Sequence, residues 1–393
     1  MPGDGIPRVR RAAWGLLRFI TPRFITRGYD YSCESMEAEG PCLIVSNHVT
    51  NLDPFFVGLA LGKDPPAYVA SEHIMRLGLV SKLIDKLVAP IPRSKAASGA
   101  GTVKACLRRL RGGESVVLFA EGDCTWDGLT HGVFPATGKL AKASGKPLVT
   151  FRIEGGYLSR PRWSRSLRRV HMHGGQVGFY SAERLAGMSA DEVTAAINAD
   201  IFEDAWTRQR AERRLIPSDR RAEGLERALA VCPECFGLGT LASKDNTVFC
   251  KECGANSLVD ELGFFEKGSY FSTVAEWDAW QKEKLYELAL SGGAKAAPVF
   301  EGKFTRLSDG NGGRERSEKT RLALDPGLAY VEAGGRRFPF DETDDMSMVK
   351  TDRLLFSADG GYYEFKSNNA ALRLVLLAYG AHRAAAGSRE EKR

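Results

Sequence analysis

No stretch of this 393-residue chain is apolar for long enough to cross a bilayer: the best runs are cut by Arg18 or Gly58, short of the ~18–20 residues needed. An export signal is not expected either, because Arg18 breaks any apolar h-region and no small-residue cleavage site follows. Histidine is scarce, six in all, so an imidazole that does chemistry must be sought among few candidates. A large excess of one sign of charge is also lacking, since 55 basic and 49 acidic side chains leave only +6, and that excess gathers at the amino terminus. What remains is ordinary globular composition, 43% apolar and 26% charged, ample for a sizeable core and two or three domains.

The amino-terminal charge has a pattern. Arg8, Arg10, Arg11, Arg18, Arg23 and Arg27 alternate with apolar residues, and at ~100° per residue Val9, Ala13, Leu16, Leu17 and Ile20 share one helical face opposite Arg8, Arg11 and Arg18. Such a helix suits an anionic membrane surface, with an apolar strip for the acyl boundary and arginines for headgroups. Pro22 should divide it in two. A second basic stretch, Arg160, Arg162, Arg165, Arg168 and Arg169 around Trp163, could add to that contact. The protein is therefore expected to be cytoplasmic and to visit the cytoplasmic membrane peripherally.

Two short strings carry the chemistry. Pro41 to Ser46 reads as a buried strand, Pro54 to Leu61 as an apolar helix, and between them Asn47, His48 and Asp53 stand at the strand's carboxyl end. There Asp53 can orient and polarise the His48 imidazole, a general-base pair. Thr102 to Leu110 reads as a helix closed by Gly112-Gly113, and Glu114 to Phe119 as a strand that delivers Glu121-Gly122 to its tip. Two strand ends thus offer polar groups to one cleft. The other histidines, His73, His131, His171, His173 and His382, have no partner at a telling spacing and read as structural or exposed.

In this order the strings resemble the glycerolipid acyltransferase family of the 1-acylglycerol-3-phosphate acyltransferase type, over about residues 30 to 205. Asn47, His48 and Asp53 match its His-x4-Asp block, Ile91-Pro92-Arg93 its second block, and Lys146 to Thr150 its fourth. Its Phe-Pro-Glu-Gly-Thr-Arg-Ser block is matched in part by Phe119-Ala120-Glu121-Gly122-Asp123-Cys124-Thr125. The resemblance implies transfer of a fatty acyl group from acyl-CoA or acyl-carrier protein to the hydroxyl of a lysophospholipid-type, lysophosphatidate-like acceptor. His48 would be the base and Asp53 its orienter, with Asn47, Arg93, Glu121 and Gly122 on the substrate side. No covalent acyl-enzyme and no redox cofactor are required. Cys124 stands where the family keeps an arginine credited with gripping phosphate, which weakens the case for a phosphate-bearing acceptor.

Of eight cysteines, Cys33, Cys42, Cys106 and Cys124 are scattered and read as free thiols. The other four form two Cys-x-x-Cys knuckles, Cys232/Cys235 and Cys250/Cys253, the spacing of a zinc ribbon. With four thiolates and no open position the Zn²⁺ would be structural. Glu234 and Glu252 inside the knuckles offer no basic aromatic surface, so nucleic acid is not an expected partner.

The expected architecture is α/β, a central mixed β-sheet flanked by helices, followed by the ribbon and a small β-rich domain. Its divisions are amphipathic helices at 1–28, the acyltransferase domain at 29–207, a helical linker at 208–229 and the ribbon at 230–256. A helical connector at 257–292, a β-rich, pleckstrin-homology-like module at 293–383 with a closing helix from Asn368 to Ala378, and a disordered tail at 384–393 complete the chain. The alternative function is a catalytically silent acyltransferase fold that binds lipid or acts as a scaffold through its ribbon and C-terminal module.

Overall fold

A computed structural model describes residues 6–37, 40–71, 88–93, 99–307 and 317–390. His73 lies outside them. The chain divides into two compact units, one of residues 1–162 and 167–217, the other of 163–166 and 218–393.

The first unit is built on a seven-stranded sheet in the order β1-β7-β6-β2-β5-β3-β4. The strands are β1 (Tyr31–Cys33), β2 (Leu43–Ser46), β3 (Ala67–Ser71), β4 (Ile91–Arg93), β5 (Val116–Phe119), β6 (Leu148–Glu154) and β7 (Met172–Tyr180). β6, β2, β5, β3 and β4 run parallel, and β7 lies antiparallel to β6, which makes the sheet mixed as the sequence implied. Wholly buried β2 needs cover on both faces. Helices α3 (Ala100–Arg111), α4 (Ala136–Ser144) and α5 (Ala190–Ile201) pack Cys106, Leu110, Leu140, Val193 and Ile197 against Leu43, Val45, Val116 and Leu148.

Helix α1 (Arg8–Gly28) is continuous through Pro22, so the expected break does not occur: the ring removes one donor from the ladder without ending it. Its anchor is Arg10, buried and 2.7 Å from Glu114, which also takes Arg109 at 2.9 Å. Trp14 and Ile25 are buried on the same side, while Leu16, Phe19, Ile20 and Phe24 are exposed. The apolar strip therefore faces outward. In the second basic stretch Arg168 is buried and the Arg162 side chain is covered, while Arg160, Arg165 and Arg169 are exposed.

α5 opens on a capping box of Ser189 and Glu192 and stops at Ile201; Phe202 is extended and Asp204 caps a new helix, α6 (Ala205–Glu212). From there to residue 229 only the 3₁₀ turn Leu225–Arg227 is helical, fewer turns than the expected linker.

The second unit begins with the ribbon, whose β8 (Leu241–Lys244), β9 (Thr247–Cys250) and β10 (Asn256–Leu258) form an antiparallel sheet. Helix α7 (Val274–Ser291) follows. Then come β11 (Val299–Leu307), β12 (Ser317–Leu324), β13 (Tyr330–Ala333), β14 (Arg336–Pro339), β15 (Thr343–Val349), β16 (Arg353–Ala358) and β17 (Gly361–Lys366), in the order β14-β13-β12-β11-β17-β16-β15. Helix α8 (Arg373–Glu390) closes the chain, running through most of the stretch whose polar composition suggested disorder.

Candidate active site

Register puts the two motif loops side by side. Ser46, the last residue of β2, lies directly opposite Phe119, the last of β5, so Asn47-His48 and Ala120-Glu121 leave the sheet at the same level. On the other flank Ser46 pairs with Phe151 of β6. Asn47 fixes the exit: its amide donates to Ile153 O at 2.9 Å and accepts from Ile153 N–H at 2.8 Å, and the residue is fully buried. Expected on the substrate side, Asn47 has no surface with which to touch a substrate and instead ties the His48 loop to β6.

Asp53 is the first residue of α2 (Asp53–Ala60) and is wholly buried. Its carboxylate accepts from Val49 N–H at 2.6 Å, Thr50 N–H at 3.0 Å and the Thr50 hydroxyl at 2.8 Å, and lies 2.7 Å from His48 Nδ1. This assigns the proton of the neutral ring to Nδ1 and leaves Nε2 as the acceptor. The His48 side chain keeps a fifth of its surface open.

Cys124 is the unexpected neighbour. Its Sγ lies 3.4 Å from Nε2 and 3.5 Å from Nδ1. In the ring plane an equidistant sulfur would come within about 2.6 Å of Cε1, far inside van der Waals contact, so the thiol sits over the ring face. Phe119 stacks on the imidazole as well, centroids 4.7 Å apart. The ring is thus packed on its faces as well as tethered at Nδ1, and the thiol does not occupy the Nε2 lone pair. Burial pushes the Cys124 thiol up, against the pull of His48. For His48 burial opposes the imidazolium, but Cys124 and Asp53 outweigh it and hold its pKa well above the ordinary value.

Glu121 braces this loop to the next: one oxygen accepts from His48 N–H at 2.6 Å, the other from His131 N–H at 2.8 Å. Burial lifts its pKa to about 7 despite those two donors. Gly122 turns the chain at φ +83°, and a Cβ there would come within 2.7 Å of the Phe134 ring and 2.8 Å of Arg93 Nη1. Arg93 stacks on Phe134 at 4.6 Å. The second and third sequence blocks therefore meet at Gly122. Gly122→Ala should cost about 1–2 kcal/mol in backbone strain alone, with a lowered melting temperature as the readout; an unchanged melt would show that the turn tolerates a side chain.

A cation also reaches the position 124 loop from elsewhere. Arg162, 4% exposed, pairs with Asp123, donates to Cys124 O at 3.2 Å and stacks over Trp126 at 4.1 Å. No local motif could have revealed it, because it arrives from the β6–β7 connection. Four histidines set aside earlier do have acidic neighbours: His131 lies 3.3 Å from Asp127, His171 3.1 Å from Asp30, His173 4.0 Å from Glu34 and His382 2.9 Å from Asp341. None of the four stands at the β2 and β5 strand ends.

Beside the His48 loop opens an apolar cavity of about 300 Å³, lined by Trp14 and Leu17 of α1, Pro54 and Phe55 of α2, Asn51 and Tyr68. In the second unit the four knuckle cysteines bring their sulfurs within 4.8 Å of one another. Cys232 to Cys253 and Cys235 to Cys250 are both 3.7 Å, too far for a disulfide and close to the edge of a tetrahedron with ~2.3 Å metal–sulfur bonds. Each knuckle reverses through a residue of positive φ just after its second cysteine, Phe236 and Gly254. The cluster fits a metal ion.

Residues 29–154 match the family model described as Acyltransferase. Among solved structures, the chain is similar to the 1-acyl-sn-glycerophosphate (LPA) acyltransferase PlsC from Thermotoga maritima, at 14% identity and a TM-score of 0.44, over 52% of this chain and 81% of that one. No curated protein gives a significant match. Residues 29–154, which carry the His48–Asp53 pair and the Glu121 brace, are accordingly an acyltransferase-family domain.

Proposed function

We propose that this chain transfers a fatty acyl group from an acyl thioester, acyl-CoA or acyl-carrier protein, to the hydroxyl of a lysophosphatidate-like lysophospholipid. The observation that carries the reading is His48 with Asp53 at 2.7 Å on Nδ1 and Nε2 left as the acceptor. An alcohol is a weak nucleophile near neutral pH, so Nε2 takes its proton as the oxygen attacks the thioester carbonyl, and Asp53 stabilises the imidazolium that forms. The tetrahedral intermediate collapses with departure of the thiolate, which receives the proton back from His48. The apolar cavity beside Asn51 and Pro54 suits the acyl chain. Arg93, which the second block brings beside Gly122 at the end of the Glu121 loop, is the group for the acceptor's anion, since a guanidinium can hold a phosphate bidentately. The outward apolar strip of α1 suits a protein that lies on an anionic membrane surface.

The test is incubation of the full chain with labelled acyl thioester and a panel of lysolipids. Lysophosphatidate is the expected acceptor; turnover on no lysolipid at all, with the fold intact, would refute the reading. We also assign the four-cysteine cluster to structural Zn²⁺, held by Cys232, Cys235, Cys250 and Cys253. Elemental analysis should find about one zinc per chain, and stripping it with a chelator should melt the second unit. A metal-free chain with an unchanged melt would remove the zinc from the account.

A further inference from the structure

The β-rich sheet of the second unit sets four cations in one row. Lys303 of β11 is directly opposite Lys319 of β12 on one side and Lys366 of β17 on the other, and Lys366 is directly opposite Arg353 of β16. Residues directly opposite in antiparallel ladders share a face with Cβ atoms about 4.5–5.5 Å apart, and like charges so placed destabilise the sheet. A sheet that keeps such a row carries a cost that an anion would relieve.

Carboxylates neutralise only one end of this arrangement. Arg353 has Glu364 at 3.6 Å and Asp352 at 3.9 Å, Lys366 reaches Asp352 only at 4.0 Å, and the neighbouring Arg321 is taken by Glu301 at 3.0 Å. Lys303 and Lys319, at the middle and far end, make no ion pair among the described residues. The same face is hollowed: a cavity of about 970 Å³ is lined by Lys303, Lys319 and Lys366 together with Ser367, Asn368 and Asn369. Those last residues lead into the 3₁₀ turn Ala370–Leu372 and then α8, whose amino-terminal end adds partial positive charge at that edge.

We propose that this concavity binds a phosphate-type oxyanion, carried by a soluble phosphorylated ligand or by a lipid headgroup. The ammonium groups of Lys303, Lys319 and Lys366 supply the charge and the Asn368 and Asn369 amides further donors, a donor-rich bowl for an acceptor-only ligand. The site is independent of acyl transfer by the first unit.

The experiment compares the full chain with its K303Q/K319Q variant in two arms. One follows the melting temperature against inorganic pyrophosphate; the other measures sedimentation with phosphatidylcholine vesicles, with and without phosphatidic acid. For a lipid headgroup the wild type should bind the acidic vesicles about thirtyfold more tightly than the variant, a factor of about five per lysine, and the two should not differ on neutral vesicles. For a soluble ligand pyrophosphate should stabilise the wild type alone while vesicle binding stays equal. Equal responses of both proteins in both arms would overturn the proposal. The variant should melt no lower than the wild type, since it loses a like-charge contact; if it does melt lower, Lys319→Glu at an exposed position takes its place in both arms.

Discussion

Replacing His48 by alanine should lower kcat by about 10²- to 10⁴-fold while leaving the fold intact, the range expected when a positioned general base is removed. Its ring is a tenant of the site more than a pillar of it: the backbone of the loop is held by Asp53, Glu121 and Asn47. Asp53→Asn should be as damaging to activity and also harmful to the loop, because one amide face would present donors to the N–H groups of Val49 and Thr50. Measured kcat and KM on the best lysolipid, with a thermal melt for each variant, separate the two effects. Full activity of His48→Ala would eliminate the base mechanism.

The pH profile adds an independent check. In the proposed mechanism His48 must be neutral to accept a proton, and its pKa is held above the ordinary value. Glu121 must be ionised to accept from both the His48 and His131 N–H groups, and it titrates at about 7. Both requirements push the same way, so kcat/KM should climb with pH through and beyond 7. The stability term has the opposite slope. Because burial raises the Glu121 pKa above that of an exposed carboxyl, the native state holds that proton more tightly than the unfolded chain, and its contribution is lost as pH rises through about 7. An acidic limb below pH 6 would show that neither group governs the reaction.

The sequence foretold elements whose own residues declare them. Strand β2 is an apolar run up to Ser46, and the helix after it carries a proline in its first turn. It was silent where long-range contacts decide. β7 is rich in glycine, a poor strand former by composition, yet a Cβ at Gly174 would strike the Tyr31 hydroxyl and one at Gly178 the Asp200 carboxylate, so closeness of neighbours selects the residue. β15 carries Asp344, Asp345 and two methionines, with no alternation to mark it, and forms because β16 offers a partner. At the site the same division holds. His48 and Asp53 are five residues apart and were legible; the Cys124 sulfur on the ring face and the Arg162 guanidinium behind it come from segments far along the chain.

The largest expected loss of stability comes from Asp278 in the second unit. Its carboxylate is wholly buried and takes Arg373 in a two-pronged grip, Oδ1 to Nη1 at 2.6 Å and Oδ2 to Nη2 at 3.1 Å, with Gln281 and Lys282 each at 2.6 Å. Arg373 also donates to Ala228 O at 2.5 Å, and Gln281 bonds the backbone of both Ala228 and Ala230, just ahead of the first knuckle. One ionic cluster therefore binds together α7, the start of α8 and the segment that enters the ribbon. Asp278→Ala would leave the Arg373 guanidinium buried without its counter-charge, which costs about 3–5 kcal/mol. The double change Asp278→Leu with Arg373→Met removes both charges at similar volume and should recover much of that loss, since a buried pair is often replaceable by apolar packing even where half of it is not. Denaturant unfolding of the three proteins measures the difference. If Asp278→Ala unfolds at the wild-type midpoint, the cluster does not hold the unit together, and the helices must be joined by apolar packing alone.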